Sequence, residues 1–177
     1  MNLFLIGYRC SGKTTVGKAI AETLDWDFVD ADTMLTTACG KSIKEIINTD
    51  GWASFRRMEC STLKQFCAKE RQVVATGGGV VLDAANIEAM KSSGQVVWLV
   101  ATAATIHSRM RADKNTEHLR PALTQKGTLA EIDDLLAERR PDYERASDFF
   151  VRTDKMSIDE IVRKILAQLN EEDIEKL

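Results

Sequence analysis

The chain has 177 residues, and its 44% hydrophobic and 29% charged content is typical of a globular domain rather than a disordered chain. Its 24 Lys and Arg against 27 Asp and Glu give a net charge of −3, which argues against a nucleic-acid-binding protein. No apolar run approaches the roughly 20 residues that cross a bilayer, and the start lacks the pattern of a secretory signal. We therefore predict a cytoplasmic monomer with neither nucleic acid nor membrane as a partner.

Short apolar runs alternate with helical patterns along the whole chain. The runs predict strands at 3–6, 28–30, 73–76, 96–100 and 148–151. Strands that alternate with helices indicate βαβ units, so we expect an α/β fold with a mainly parallel sheet covered on both faces.

The helical patterns lie between these strands. We predict a helix after residue 12, a helical stretch at 42–70 that breaks near Asp50-Gly51, a helix from about Ala103 and a closing amphipathic helix at 158–169. Pro141 should end or kink the helix that contains it.

Residues 112–126, "ADKNTEHLRPALTQK", have no clear periodicity. Compact domains rarely keep such a long loop without a use, so we predict a mobile lid over a ligand. The acidic tail at 171–177 is expected to fray. We found no linker or repeat, so 1–177 is predicted to be one domain.

The stretch "GYRCSGKTT" matches the P-loop pattern from Gly7 through Gly12, Lys13 and Thr14, with a strand before it and a helix after it. Inward N–H groups and the helix N-terminus bind phosphates, while the glycines allow close approach of the backbone. Lys13 would reach the β- and γ-phosphates and Thr14 would ligate Mg²⁺. An ordinary glycine turn is the weaker alternative, so we predict binding of a nucleoside triphosphate.

Two further strands end in unusual residues. Asp30 and Asp32 follow the second strand and could serve Mg²⁺ and an attacking hydroxyl, although Asp also begins helices. The third strand ends in Gly77, Gly78 and Gly79, which indicates a backbone that touches a ligand or, alternatively, a tight turn.

Several arginines stand out because they follow no surface pattern. Arg56 and Arg57 share a helix with core-facing residues, Arg120 lies in the predicted lid, and Arg139 precedes Pro141 by two positions. The planar guanidinium suits carboxylates and phosphates, although each arginine taken alone is more typical of an ordinary surface residue.

Together these pieces resemble the shikimate kinase family over about residues 2–169. The segments that carry the resemblance are "GYRCSGKTT", "FVDAD", "DGWASFRRME", "TGGGVV", "LRPAL" and "ERRPDYERA". The resemblance implies a three-layer P-loop kinase fold with five parallel strands in the order 2-3-1-4-5. It also implies transfer of the γ-phosphoryl of ATP to the 3-hydroxyl of shikimate, on the route to aromatic amino acids, with Mg²⁺ as cofactor and a substrate-binding subdomain at about 31–60.

The resemblance also implies roles for single residues. Lys13, Asp32 and Arg120 would be catalytic, and Thr14 and Asp30 would serve the metal. ATP would contact Gly7, Cys10, Ser11, Gly12, Lys13, Thr14, Thr15, Arg111 and Arg120. Shikimate would contact Asp32, Arg56, Gly77, Gly78, Gly79 and Arg139, and Glu59 would orient Arg56. Arg109 is nearly as good a candidate as Arg111 for stacking on adenine, and Asp32 could act as a base or position the hydroxyl.

The chain departs from the family pattern at Trp52, where glutamate is common, and at Ala122, where leucine is common; its lid is also slightly long. None of these changes removes a charged site residue. A gluconate kinase-like enzyme of the same fold and a non-catalytic nucleotide-binding module remain the alternatives.

Overall fold

The computed structural model describes residues 1–112 and 129–169, and in them the chain builds one parallel sheet. The strands are β1 (Asn2–Ile6), β2 (Asp27–Asp30), β3 (Gln72–Ala75), β4 (Gly94–Val100) and β5 (Phe149–Arg152). They pair in parallel in the order β2-β3-β1-β4-β5. The predicted five-stranded sheet and its order are confirmed, and each predicted strand lies within two residues of the observed one.

Helices cover both faces of this sheet. They are α1 (Lys13–Leu24), α2 (Ala31–Cys39), α3 (Ile43–Cys67), α4 (Ala84–Ser93), α5 (Ala103–Ala112), α6 (Leu129–Ala146) and α7 (Ile158–Gln168). On one face of the sheet, Leu3 and Leu5 of β1 pack against α1 and α7. On the other face, Phe4 and Ile6 pack against α3, α4 and α6. This alternation is the two-residue period of a strand that is buried on both faces, and it produces the three layers of the fold.

The long helix α3 is broken where the sequence predicts a break. Gly51 has φ 79° and ψ 167°, values outside the helical region, so the two halves of α3 take different directions. The first half begins with a capping box in which Ser42 and Glu45 satisfy each other's backbone N–H groups. Its apolar residues pack with Leu35 of α2 in a small cluster of their own, inside the segment predicted to hold the substrate.

Of the two effects expected of Pro141, the end of the helix does not occur, because α6 continues through Pro141 to Ala146. Proline removes one N–H donor and disturbs the carbonyl four residues earlier. Buried residues on both sides of it, Ile132 and Tyr143, hold the helix in place despite this loss.

Two predicted segments fall largely outside the described residues. They are the lid, of which Ala112 alone is described, and the tail at 171–177. Within 1–112 and 129–169, we find no helix whose length and apolar content would let it cross a membrane.

The start of β1 is tied to the end of α3 by a fully buried side chain. The Nδ2 atom of Asn2 donates to the carbonyls of Phe66 and Lys69, at 3.3 and 2.8 Å. Its Oδ1 accepts from the N–H of Gln72 at 3.1 Å. This amide therefore satisfies three backbone groups in the connection from α3 to β3.

We predict that Asn2→Ala lowers the free energy of unfolding by about 1–3 kcal/mol, because buried polar groups lose their partner. Urea unfolding monitored by circular dichroism measures this change. Ser92→Ala, which removes an exposed hydroxyl on α4, is the matched control and should leave the midpoint unchanged. Equal midpoints for the two variants would contradict a clamping role of Asn2.

Candidate active site

The loop between β1 and α1 has the geometry of a phosphate-binding loop. Gly7 and Gly12 have φ of 140° and 107°, and Cys10 is left-handed at 58°. A β-carbon on Gly7 would lie 2.6 Å from the carbonyl oxygen of Leu99, so only glycine lets the loop pass this close to β4. Among the described residues no side chain caps α1, which leaves its first N–H groups open to an anion.

The Lys13 side chain folds back over this loop and is 8% exposed. Its Nζ donates to the carbonyls of Gly7 and Tyr8 at 2.8 and 2.9 Å. This ammonium group, held at the P-loop by two carbonyls, is compatible with the predicted contact of Lys13 with the β- and γ-phosphates of a nucleotide.

Arg109 forms hydrogen bonds to backbone carbonyls of the same loop. Its Nη1 donates to the carbonyls of Cys10 and Ser11, both at 3.1 Å, and to Thr153 Oγ1 at 3.2 Å. Its Nη2 donates to the Thr153 carbonyl at 3.1 Å. Because C=O and N–H point in opposite directions within one peptide unit, the N–H of Gly12 points away from Arg109. Arg111, the other adenine candidate, is exposed on α5.

Asp30 connects the end of β2 to the P-loop. Its Oδ2 accepts a hydrogen bond from Thr14 Oγ1 at 2.9 Å, and its Oδ1 caps α2 by accepting from the N–H of Thr33 at 3.1 Å. The helix-capping alternative is therefore confirmed, and the same carboxylate also meets the P-loop hydroxyl. Mg²⁺ takes oxygen ligands and usually binds one or two protein groups beside substrate phosphates, so this hydroxyl and carboxylate pair fits it.

A cleft lies next to the P-loop at the same edge of the sheet. All six residues that were predicted to contact the acceptor line it, although they come from four separate parts of the chain. The full lining is Arg9, Asp32, Ile43, Trp52, Phe55, Arg56, Glu59, Gly77, Gly78, Gly79 and Arg139. The fold thus brings together the carboxylate, the two arginines and the glycine triplet.

The glycine triplet passes close to charged side chains. A β-carbon on Gly77 would lie 2.7 Å from Glu59 Oε1 and 2.9 Å from Asp32 Oδ1, and one on Gly79 would overlap the Arg56 guanidinium. Any larger residue would displace these groups from the cleft, so the triplet is more than a tight turn.

Arg56 is anchored by a buried carboxylate. Its Nη1 meets Glu59 Oε2 at 2.6 Å, and Glu59 is 5% exposed. Burial raises the pKa of Glu59, and the Arg56 charge opposes that shift. The other carboxylate oxygen, Oε1, is buried without a partner in the part of the chain that the structure describes. The predicted orienting contact between Glu59 and Arg56 is therefore present.

Three residues of this site have no assigned role in the sequence analysis. Arg9 occupies a variable position of the P-loop and lines the cleft as a third arginine. Trp52 lies 5.5 Å from the Arg56 guanidinium and edge-on to Phe55. The Tyr143 hydroxyl donates a hydrogen bond to the carbonyl oxygen of Gly78. The four-residue spacing from Arg139 to Tyr143 was a usable signal, because such residues share a helix face.

Comparison with known proteins agrees with this geometry. The family model described as shikimate kinase matches residues 9–170. The chain belongs to the shikimate kinase family. It is 43% identical to a shikimate kinase of Nitratidesulfovibrio vulgaris over 86% of both chains, and 37% identical to one of Symbiobacterium thermophilum over 97% of both.

Solved structures of this family agree as well. The structure of a shikimate kinase from Acinetobacter baumannii in complex with shikimate superposes with a TM-score of 0.87 at 32% identity, over 95% of this chain and 92% of that one. The predicted P-loop kinase fold is confirmed, and the chain is an ATP-dependent kinase.

We predict that Arg109→Ala weakens ATP binding about tenfold or more, because the loop carbonyls lose charge-assisted hydrogen bonds worth about 1.5–3 kcal/mol each. Isothermal titration with ATP measures this loss, and thermal unfolding reports any accompanying change in stability. Arg163→Ala on α7, which lies outside the P-loop contacts, is the control and should bind ATP normally. Normal ATP affinity in the Arg109 variant would contradict the role of Arg109 in shaping the loop.

Proposed function

We propose that this chain transfers the γ-phosphoryl group of ATP to the 3-hydroxyl of shikimate, giving shikimate 3-phosphate and ADP. The observation that carries the proposal is a cleft, lined by Asp32 and by arginines that include Arg56 and Arg139, that opens beside a P-loop. Family membership and the similarity to a structure determined with shikimate support the same acceptor.

The acceptor is proposed to bind through its carboxylate. Arg56 and Arg139 line the cleft and supply two planar guanidinium groups. Such groups would orient a carboxylate by paired hydrogen bonds and would also neutralise its charge. The backbone of Gly77, Gly78 and Gly79 would lie along the ring and offer N–H groups to its oxygens. The orientation of the bound shikimate would then bring one of its three hydroxyls to the phosphoryl group. Asp32 would accept a hydrogen bond from that hydroxyl.

Phosphoryl transfer depends mainly on positioning and on charge stabilisation. Lys13 and Arg120 would stabilise the charge that develops on the transferred group, and Arg120, in the segment outside the described residues, stays a prediction. A loose transition state needs little help from a base, so positioning is the main role that we assign to Asp32. Bound Mg²⁺ would neutralise phosphate charge, and Thr14 and Asp30 are the residues that would hold it.

The nucleotide is proposed to lie across the P-loop. The residues assigned to it are Gly7, Cys10, Ser11, Gly12, Lys13, Thr14, Thr15, Arg111 and Arg120. Arg109 already bonds the loop carbonyls, which favours the exposed Arg111 for stacking on adenine. A cytoplasmic monomer with a substrate-binding subdomain at 31–60 and a lid at 112–126 remains our prediction.

A coupled ADP-release assay with Mg²⁺-ATP tests the function. Shikimate, gluconate and no acceptor run in parallel, and we expect release that depends on shikimate alone. Release with gluconate alone would indicate the related sugar-acid kinase. No release with any acceptor, while titration still shows ATP binding, would indicate a non-catalytic module and direct attention to Trp52.

We predict that Arg120→Ala lowers kcat by about 10³-fold or more while shikimate binding changes little, because its charge would act on the transition state. Steady-state kinetics and shikimate titration measure the two effects separately. Arg163→Ala serves again as the control for loss of one positive charge. Unchanged kcat in the Arg120 variant would refute this role.

A further inference from the structure

Tyr143 lies beneath the acceptor cleft, on α6, and is 1% exposed. Its hydroxyl donates a hydrogen bond to the carbonyl oxygen of Gly78 at 2.6 Å. Its ring stacks on Trp98 of β4, with centroids 5.4 Å apart and planes 16° apart. Packing therefore fixes the ring, and the ring presents its hydroxyl to the middle residue of the glycine triplet.

This hydrogen bond restrains the central peptide of a turn that is closed by the bond from the Val80 N–H to the Gly77 carbonyl at 3.2 Å. The carbonyl of Gly78 and the N–H of Gly79 belong to one planar trans unit, so they point in opposite directions. Because Tyr143 bonds to the Gly78 carbonyl, the N–H of Gly79 faces away from Tyr143. Glycine backbones rotate easily, so without this bond the peptide could turn.

Arg139 lies one helical turn before Tyr143 on α6, on the same face of the helix, and its Cζ lies 5.9 Å from the Tyr8 ring centroid. Burial raises the pKa of Tyr143 far above its usual range, and the hydroxyl therefore keeps the proton that Gly78 needs.

We propose that Tyr143 is a positioning residue for the acceptor, because its hydroxyl holds the Gly78–Gly79 peptide in a fixed orientation at the cleft. This inference rests on the proposed function, in which the glycine triplet binds shikimate. Tyr143 itself is absent from the lining of the cleft. Its effect should therefore fall on the acceptor and leave the nucleotide unaffected.

Tyr143→Phe tests this directly, since it removes one oxygen and keeps the ring stacked on Trp98. We expect the KM for shikimate to rise about three- to tenfold, as the loss of one ordinary hydrogen bond predicts. The KM for ATP should stay within about twofold, since no group that would contact the nucleotide is altered. Shikimate titration in the presence of ADP should show the same loss of affinity.

Trp98→Phe is the matched control, because it weakens the packing around Tyr143 without touching the hydroxyl. Thermal unfolding measures the stability of both variants. Trp98→Phe should keep the wild-type KM for shikimate. An equal rise of that KM in the two variants would reduce Tyr143 to a packing role and overturn the proposal. An unchanged KM in Tyr143→Phe, or an equal rise in the KM for ATP, would overturn it too.

Failure of the proposed function itself would be visible earlier, as wild-type protein that releases no ADP with shikimate.

Discussion

The whole site depends on the parallel pairing of β2, β3 and β1, because parallel strands bring their carboxyl ends to one edge. The register pairs Asp30 with Ala75, and Ala75 in turn with Leu5. The P-loop, the aspartates and the glycine triplet consequently emerge side by side, although about seventy residues separate the first from the last. The P-loop and the cleft that we propose for the acceptor are neighbours because their strands are neighbours.

Beneath this edge, a layer of buried polar contacts fixes the groups that face the ligands. Glu59 anchors Arg56, Arg109 holds the P-loop carbonyls, and Tyr143 holds Gly78. Burial of Glu59 has a cost, since its raised pKa means that the ionised form is less favourable in the folded protein than in the unfolded chain. Acidification toward that pKa relieves this cost but removes the charge that anchors Arg56. At neutral pH the ionised Glu59 therefore lowers the free energy of unfolding, and it also anchors Arg56.

The sequence predicted the fold and most of the residues that the structure brings together at the P-loop and the cleft, because both depend on local signals. Apolar runs indicated every strand, and the P-loop spacing placed Lys13 and Thr14. The missing parts depend on contacts between distant residues. Arg109 meets the P-loop across about a hundred residues and Tyr143 meets Gly78 across sixty-five, and no periodicity encodes such pairs. Pro141 does not end α6, because tertiary packing outweighs the local helix-breaking preference.

Trp52 gives the molecule an internal optical reporter. The chain has three tryptophans, of which Trp26 and Trp98 are buried at 8% and 9% exposure, while Trp52 is 44% exposed at the cleft and close to the Arg56 guanidinium. An indole in contact with water emits at longer wavelength than a buried one, so the red side of the emission comes mainly from Trp52. Occupation of the cleft would alter that part of the spectrum, and ligand affinity could be followed in unlabelled protein.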